Sequence, residues 1–348
     1  MVVVLRSART GMWSLANDTP YGAQRNWIRD KDGRHHWVVA VQATFDLSER
    51  GDVEPADEQP PPPLEPEYWG EPGASSLRRD SEVLYRKPTT DVLVEGSAHA
   101  PRSRPTSSMD VSFVVGPVQK QLVVFGNRVY HDALGSGGTT SPQPFSTQPI
   151  RYESAFGGAD LSHPDPTKQR YDDRNPVGRG VAIHPRTLVD QPAHTIEYPG
   201  RSVTRAGPAG FGPIDPSWTP RRQLAGTYDA AWVRSRKPLL PVDYDPLFGC
   251  SAPTDQRPPT PLRGGEPVEL RGLTPSGLLR FRLPKIYLAY STYFGRRRQE
   301  HRGHLCTVLL RPDDMVLVMV WQTTLEVAPR DSDYLDETRI IEKPYVNV

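Results

Sequence analysis

From Trp37 to Leu47 every odd position is apolar (Trp37, Val39, Val41, Ala43, Phe45 and Leu47), while Gln42, Thr44 and Asp46 fall between them. An apolar residue at every second place sets one face of an extended chain against a core and the other toward water, a repeat that an α-helix cannot use. The run predicts a half-buried β-strand. Further along, Met109, Val111, Phe113 and Val115 alternate with Asp110 and Ser112 up to Gly116 and Pro117, and Lys120 to Phe125 returns as the second arm of a hairpin. Near the C-terminus, Leu305–Leu310 and Met315–Val320 are apolar on both faces and flank the turn Arg311–Asp314, the pattern of a central hairpin covered on both sides.

Helical periodicity is scarce. Ser75–Leu84 and Leu335–Ile341 read as short helices, and neither keeps apolar spacing beyond two turns. The expected fold class is mainly β, an antiparallel sandwich or barrel-like set of sheets with long Pro/Gly-rich loops. Proline (38) and glycine (28) together make up about 19% of the 348 residues, against roughly 12% in an average chain. That excess is short of a disordered composition. It concentrates in residues 54–73, which include Pro60–Pro63, and in residues 253–265, both expected to be extended, exposed connectors. The length fits a single β-rich domain, with a division into lobes at about 1–135 and 150–348 left open.

Charge and cysteine usage exclude several function classes. A net charge of +1 with 24% charged residues gives no electrostatic reason to bind nucleic acid. The two cysteines, Cys250 and Cys306, sit in apolar or turn-like surroundings and predict buried free thiols rather than a disulfide framework. The apolar start Met1–Arg6 is too short for a signal-peptide core, and Met315–Trp321 is about a third of a membrane-spanning helix, so no membrane and a cytoplasmic location are expected.

Motifs of chemistry return little. Gly135–Gly138 lacks the strand-to-helix setting of a hydrolase elbow, and no phosphate cradle or dinucleotide fingerprint occurs. The pairs His35–His36 and His301/His304 lack a third ligand at metal-site spacing, and Asp172–Asp173 and Asp313–Asp314 read as turn carboxylates. The expectation is no cofactor, no metal and no catalytic residue. The basic runs Arg296–Arg298 and Arg234–Lys237 read as a solvated face or a protein-docking patch.

What stands out instead is a succession of glycine, proline, aromatic and arginine motifs: PIRYESAFGG at 149–158, NPVGRG at 175–180, PAGFGP at 208–213, WTPRR at 218–222 and GTYDAAW at 226–232. Arginine and aromatic side chains dominate interface energetics. Candidate partner-binding residues are therefore Arg151, Tyr152, Phe156, Phe211, Trp218, Arg221, Arg222, Tyr228 and Trp232. The same glycines would also suit positive-φ turns, and the same aromatics a core beneath a long loop.

Tyr152-Glu153, Ala155–Gly158, Asn175–Gly180, Pro208–Phe211 and Gly226–Tyr228, together with Lys87-Pro88, Asp91-Val92, Gly96–Ala100, Phe125–Arg128 and Pro144-Phe145, occur in an order that resembles the uncharacterised-domain family encoded beside type VI secretion genes. The likeness spans about Asn26 to Trp321, with departures at Gln42, where the family carries a lysine, and at Asn127, where it carries an aspartate. The resemblance implies a non-enzymatic adaptor or chaperone that holds a secreted effector protein and helps mount it on the VgrG spike or its PAAR cap. Two other classes fit the same features. One is a structural part of the injection spike or baseplate; the other is a carbohydrate- or peptidoglycan-active enzyme, which would need two carboxylates about 5 to 9 Å apart in a cleft.

Overall fold

A computed structural model describes residues 12–131 and 138–344; the Met1–Arg6 run and residues 135–137 of the glycine loop lie outside them. The described chain is mainly β, in several mostly antiparallel sheets that form no closed barrel. Its main strands, in chain order, are β1 (Ser14–Asn17), β2 (Gly22–Arg29), β3 (His35–Leu47), β4 (Val53–Pro55), β5 (Asp91–Val94), β6 (Ser108–Val115), β7 (Val118–Phe125), β8 (Ile196–Glu197), β9 (Pro267–Arg271), β10 (Leu278–Arg282), β11 (Tyr287–Phe294), β12 (Arg297–Arg302), β13 (His304–Arg311), β14 (Val316–Val327) and β15 (Leu335–Lys343).

The central sheet runs β2-β3-β14-β13-β5, with β4 beside β3; only β5 and β13 are parallel. A second sheet, β8-β7-β6-β9-β10, is antiparallel throughout. A third, β1-β15-β11-β12, begins with a parallel pair. The hairpin expected around Gly116 is β6–β7, and the doubly covered one is β13–β14.

All three sheets contribute to one core. The odd residues of β3 join Val111, Phe113 and Leu122 of the second sheet and Tyr290, Phe294 and Ile340 of the third. Trp37 links two of the sheets: its ring lies 5.3 Å from Trp27, and its indole N–H donates to Thr338 Oγ1 on β15 at 2.8 Å.

The even face of β3 differs from expectation. Val38, Ala40 and Gln42 are as buried as their odd neighbours, and the two alanine-sized and valine positions join Cys306, Leu309 and Val318 in a second cluster roofed by Val83 and Ala252. Alternation reports only the polarity of side chains, and here irregular segments cover the second face. Gln42 survives that burial because it donates to the Pro60 carbonyl (3.2 Å) and accepts from Arg79 Nη2 (2.9 Å).

Neither expected helix is present. Leu77–Arg79 pairs as a strand with Glu67–Tyr68, and Leu335–Lys343 is β15, held between β1 and β11 with Leu335, Thr338 and Ile340 turned inward. Sheet partners on both sides override a local pattern this short. Among the described residues two short α-helices occur instead, α1 (Val203–Ala206) and α2 (Ala230–Ser235). The two proline-rich segments also diverge from each other. Residues 54–73 run largely exposed, pinned to β3 by Gln59, whose amide exchanges hydrogen bonds with the Thr44 backbone at 2.9 and 2.8 Å. Residues 253–265 are not a free connector: Gln256 and Leu262 are buried, and Gln256 Nε2 donates to the carbonyls of Val92 and Phe211. Among the described residues no helix is long and apolar enough to cross a membrane.

His301 on β12 stacks on Tyr290 and hydrogen-bonds the hydroxyls of Thr292 (2.8 Å) and Thr323 (2.7 Å). Burial pushes its pKa from 6.5 down to about 4. Between those values the unfolded chain binds a proton that the folded chain does not, so His301 contributes stability above pH 6.5 that is lost as pH falls toward 4. The full loss is about 3 kcal/mol. Tm measured across this window should fall less steeply in His301→Gln than in the parent protein; parallel curves would refute the assignment.

Candidate interaction surface

The glycine motifs of residues 149–180 close on one another. Phe156–Gly157 pairs with Arg179–Gly180, and the buried Asn175 amide donates to the carbonyls of Tyr152 (2.8 Å) and Phe156 (3.0 Å). Gly157 and Gly158 take φ values of 146° and 105°, and an added Cβ at Gly157 would meet Asn175. Glycine is required at that crossing. The next motif packs beneath it: Phe211 is fully buried against Phe113 (5.1 Å, 75° between rings), and Tyr152 meets Trp218 edge-on at 5.8 Å. A Cβ on Gly210 would lie 2.7 Å from the Tyr152 ring, so the backbone passes there only without a side chain.

Arg221 points inward. Its Nη2 donates to Asp80 at 2.5 Å, Nη1 to the Ile214 carbonyl at 2.7 Å and Nε to the Phe248 carbonyl at 2.9 Å. Next to this pair lies a second buried charge group, in which Lys87 Nζ reaches Glu82 (2.9 Å), Asp91 (3.1 Å) and Thr307 Oγ1 (2.8 Å). Burial opposes the ammonium charge, but Glu82 and Asp91 outweigh it and hold the Lys87 pKa well above the ordinary lysine value. Gln322 ties the same turn to β14, accepting from Lys87 N and donating to the carbonyls of Glu82 and Tyr85. The sequence singles out Arg221 as a candidate for partner contact, and Lys87 and Asp91 through the family resemblance, but not Asp80, Glu82 or Gln322. The available sign was the density of charge at 80, 82, 87 and 91, running into the otherwise apolar strand β5.

Of the nine candidate residues, Tyr152, Phe211, Trp218 and Arg221 are thus interior and offer a partner no surface. Arg151 is exposed, its guanidinium 3.6 Å from the Trp69 ring centroid, where Arg78 also stacks. Phe156 is half-buried against His194, and Arg222 is exposed and pairs with Asp173 at 3.3 Å. Tyr228 and Trp232 come together, ring centroids 4.8 Å apart, on a loop spanning residues 226–243.

That loop is closed and braced. Asp229 caps α2 by accepting from Trp232 N at 2.8 Å, and Trp232 Nε1 donates to the Leu239 carbonyl at 2.8 Å. Asp243 fastens the base through Thr227 N (3.0 Å) and Thr227 Oγ1 (2.7 Å). Arg236 donates to the Lys31 carbonyl in the β2–β3 turn. On this frame Tyr228, Val233 and Val242 stand 53%, 56% and 70% exposed, three large apolar side chains within fifteen positions. Val233 and Val242 were not singled out from sequence; an apolar residue beside arginines on a short polar helix was the available sign.

A cleft of about 280 Å³ opens elsewhere, between Tyr152, Arg174, Tyr198, Asp255 and Arg257. Cys250 lines it, and burial, reinforced by Asp91, pushes the thiol pKa up to about 12, far from a thiolate nucleophile. Both cysteines are free and buried. Among the described residues no group of three or more His, Cys, Asp or Glu side chains could hold a metal ion.

Residues 32–322 match a family described as an uncharacterized protein conserved in bacteria (DUF2169). The chain belongs to this family. No curated protein and no solved structure matches it. The matched span takes in the central sheet from just before β3 to Gln322 and the whole motif region.

The division between interior and surface predicts opposite outcomes for neighbouring arginines. Arg221→Ala leaves Asp80 buried and unpaired and should cost about 3–5 kcal/mol, whereas Arg222→Ala should stay within about 0.5 kcal/mol of the parent protein. Urea unfolding of both variants decides this, and comparable losses would place Arg221 at the surface.

Proposed function

We propose that this protein is an adaptor that binds a secreted effector in the bacterial cytoplasm and helps load it on the VgrG/PAAR spike of a type VI secretion system. The supporting observation is the braced loop 226–243, which presents Tyr228, Val233 and Val242 to solvent on a frame fixed by Asp229, Trp232 and Asp243. Side chains held in place before a partner arrives lose little entropy on binding, and an exposed tyrosine such as Tyr228 is of a type that dominates interface energies. The order of the motifs, which resembles that of a family encoded beside type VI secretion genes, supports reading the partner as a secreted effector. The buried Arg221 and Lys87 groups serve the adaptor by keeping the loop's foundation rigid.

Co-expression with the effector encoded beside this gene should yield a complex that Tyr228→Ala and Val233→Asp weaken about tenfold or more, on the scale of a single interface anchor. Tm of both variants should stay near that of the parent protein. In cells, deleting the gene should stop delivery of one effector while sheath assembly continues. Normal delivery of every effector in the deletion strain would end the adaptor reading.

A further inference from the structure

β12 is an edge strand. It pairs with β11 alone, and among the described residues no strand lies on its other side. An unpaired row of backbone N–H and C=O groups is a template for another chain, which proteins commonly blunt with charge, a bulge or a covering loop. Here the edge is net positive: Arg296, Arg297, Arg298 and Arg302 share the run with a single carboxylate, Glu300. At one end the Arg302 carbonyl accepts from Thr323 Oγ1 at 3.0 Å, leaving Arg297–His301 as the open stretch.

The register sorts these side chains. Arg298, Glu300 and Arg302 sit opposite Tyr293, Ser291 and Ala289 of β11, while His301 sits opposite the buried Tyr290. Arg298, Glu300 and Arg302 therefore share the outer face of the sheet. There they border a shallow hollow of about 290 Å³ floored by Ala289 and Ile341 and edged by Tyr287 and Lys343. Arg297, on the opposite face, is engaged by Asp331 (2.6 Å) and stacks on Phe294. Arg298 pairs with Glu300, whereas Arg296, Arg302 and Lys343 form no ion pair among the described residues.

We propose that β12 accepts an acidic, extended polypeptide segment of a partner protein as a fifth strand of this sheet. Strand addition supplies backbone hydrogen bonds whatever the sequence, and pockets for alternate side chains supply selectivity. Because Arg298 and Arg302 lie four positions apart with Glu300 midway, the complementary strand carries Asp or Glu at i and i+4 and an uncharged or basic residue at i+2. Cross-strand neighbours of opposite charge attract and like charges repel, so this spacing selects both the partner and its register. The inference does not depend on the adaptor reading: a different docking surface or a different partner would leave it intact.

The test uses the full chain and a fluorescein-labelled peptide, Ser-Glu-Val-Thr-Val-Glu-Ser, followed by fluorescence anisotropy at low salt. Binding should be accompanied by slowed amide exchange in residues 297–301. The double variant Arg298→Glu, Arg302→Glu, whose exposed side chains leave the core untouched, should bind about tenfold or more weakly. The same variant should regain binding to a peptide with both glutamates replaced by lysine. N-methylation of alternate peptide amides, which keeps the charge and removes the hydrogen bonds, should abolish binding. Equal affinity for the methylated peptide or for single-stranded oligothymidylate would reduce the edge to a general anion patch and overturn the proposal. So would absence of binding, or protection confined to another strand.

Discussion

The irregular segments that cover the second face of the central sheet are held there by two buried charge groups. Arg221 with Asp80, and Lys87 with Glu82 and Asp91, lie between the second face of the central sheet and the long irregular region that follows β7. Burying charge is unfavourable unless each group finds its partners, and here carbonyls, hydroxyls and the Gln322 amide complete the arrangement. Apolar packing would hold the same segments in several alternative positions. A guanidinium with three fixed acceptors holds them in one.

This explains why the glycine and aromatic motifs are dense without being catalytic. Gly157 and Gly210 let backbone pass where a side chain would collide, Asn175 stitches two turns together, and Tyr152, Phe211 and Trp218 fill the space beneath. The motif region is for the most part a second, irregular layer of core. Its far end, the braced loop with Tyr228, Val233 and Val242, turns apolar side chains outward, as do Leu161 and Tyr171 nearer its start.

The strands were legible where the chain carries its own answer. β6–β7 could be read because a turn sequence and an apolar period coincide, and β13–β14 because a turn separates two runs apolar on both faces. β15 could not be, since Leu335, Thr338 and Ile340 acquire meaning only from β1 and β11 beside them. The same limit applies to β3, whose even face is buried by residues dozens to hundreds of positions away, and to Arg221, whose residue type suits a docking patch and a core clamp equally. Residue identity foretells chemistry; direction comes from long-range partners. Of the nine candidate positions, residue type alone could not tell the interior Tyr152, Phe211, Trp218 and Arg221 from the exposed Arg151, Arg222 and Tyr228, and the two exposed valines of the loop escaped notice because valine is ordinary anywhere.

The hydrogen bond from Trp37 to Thr338 joins residues 301 positions apart, and β3 lies in its sheet directly against β14. Nearly all of the chain must therefore leave the ribosome before the odd face of β3 can find its lasting neighbours. A protein with such high contact order folds slowly and late, and this apolar strand spends the interval uncovered. For the cell that makes it, the vulnerable moment is synthesis, when a chaperone or an early β2–β3 hairpin has to shield Trp37 and the valines beside it from their counterparts on other nascent chains.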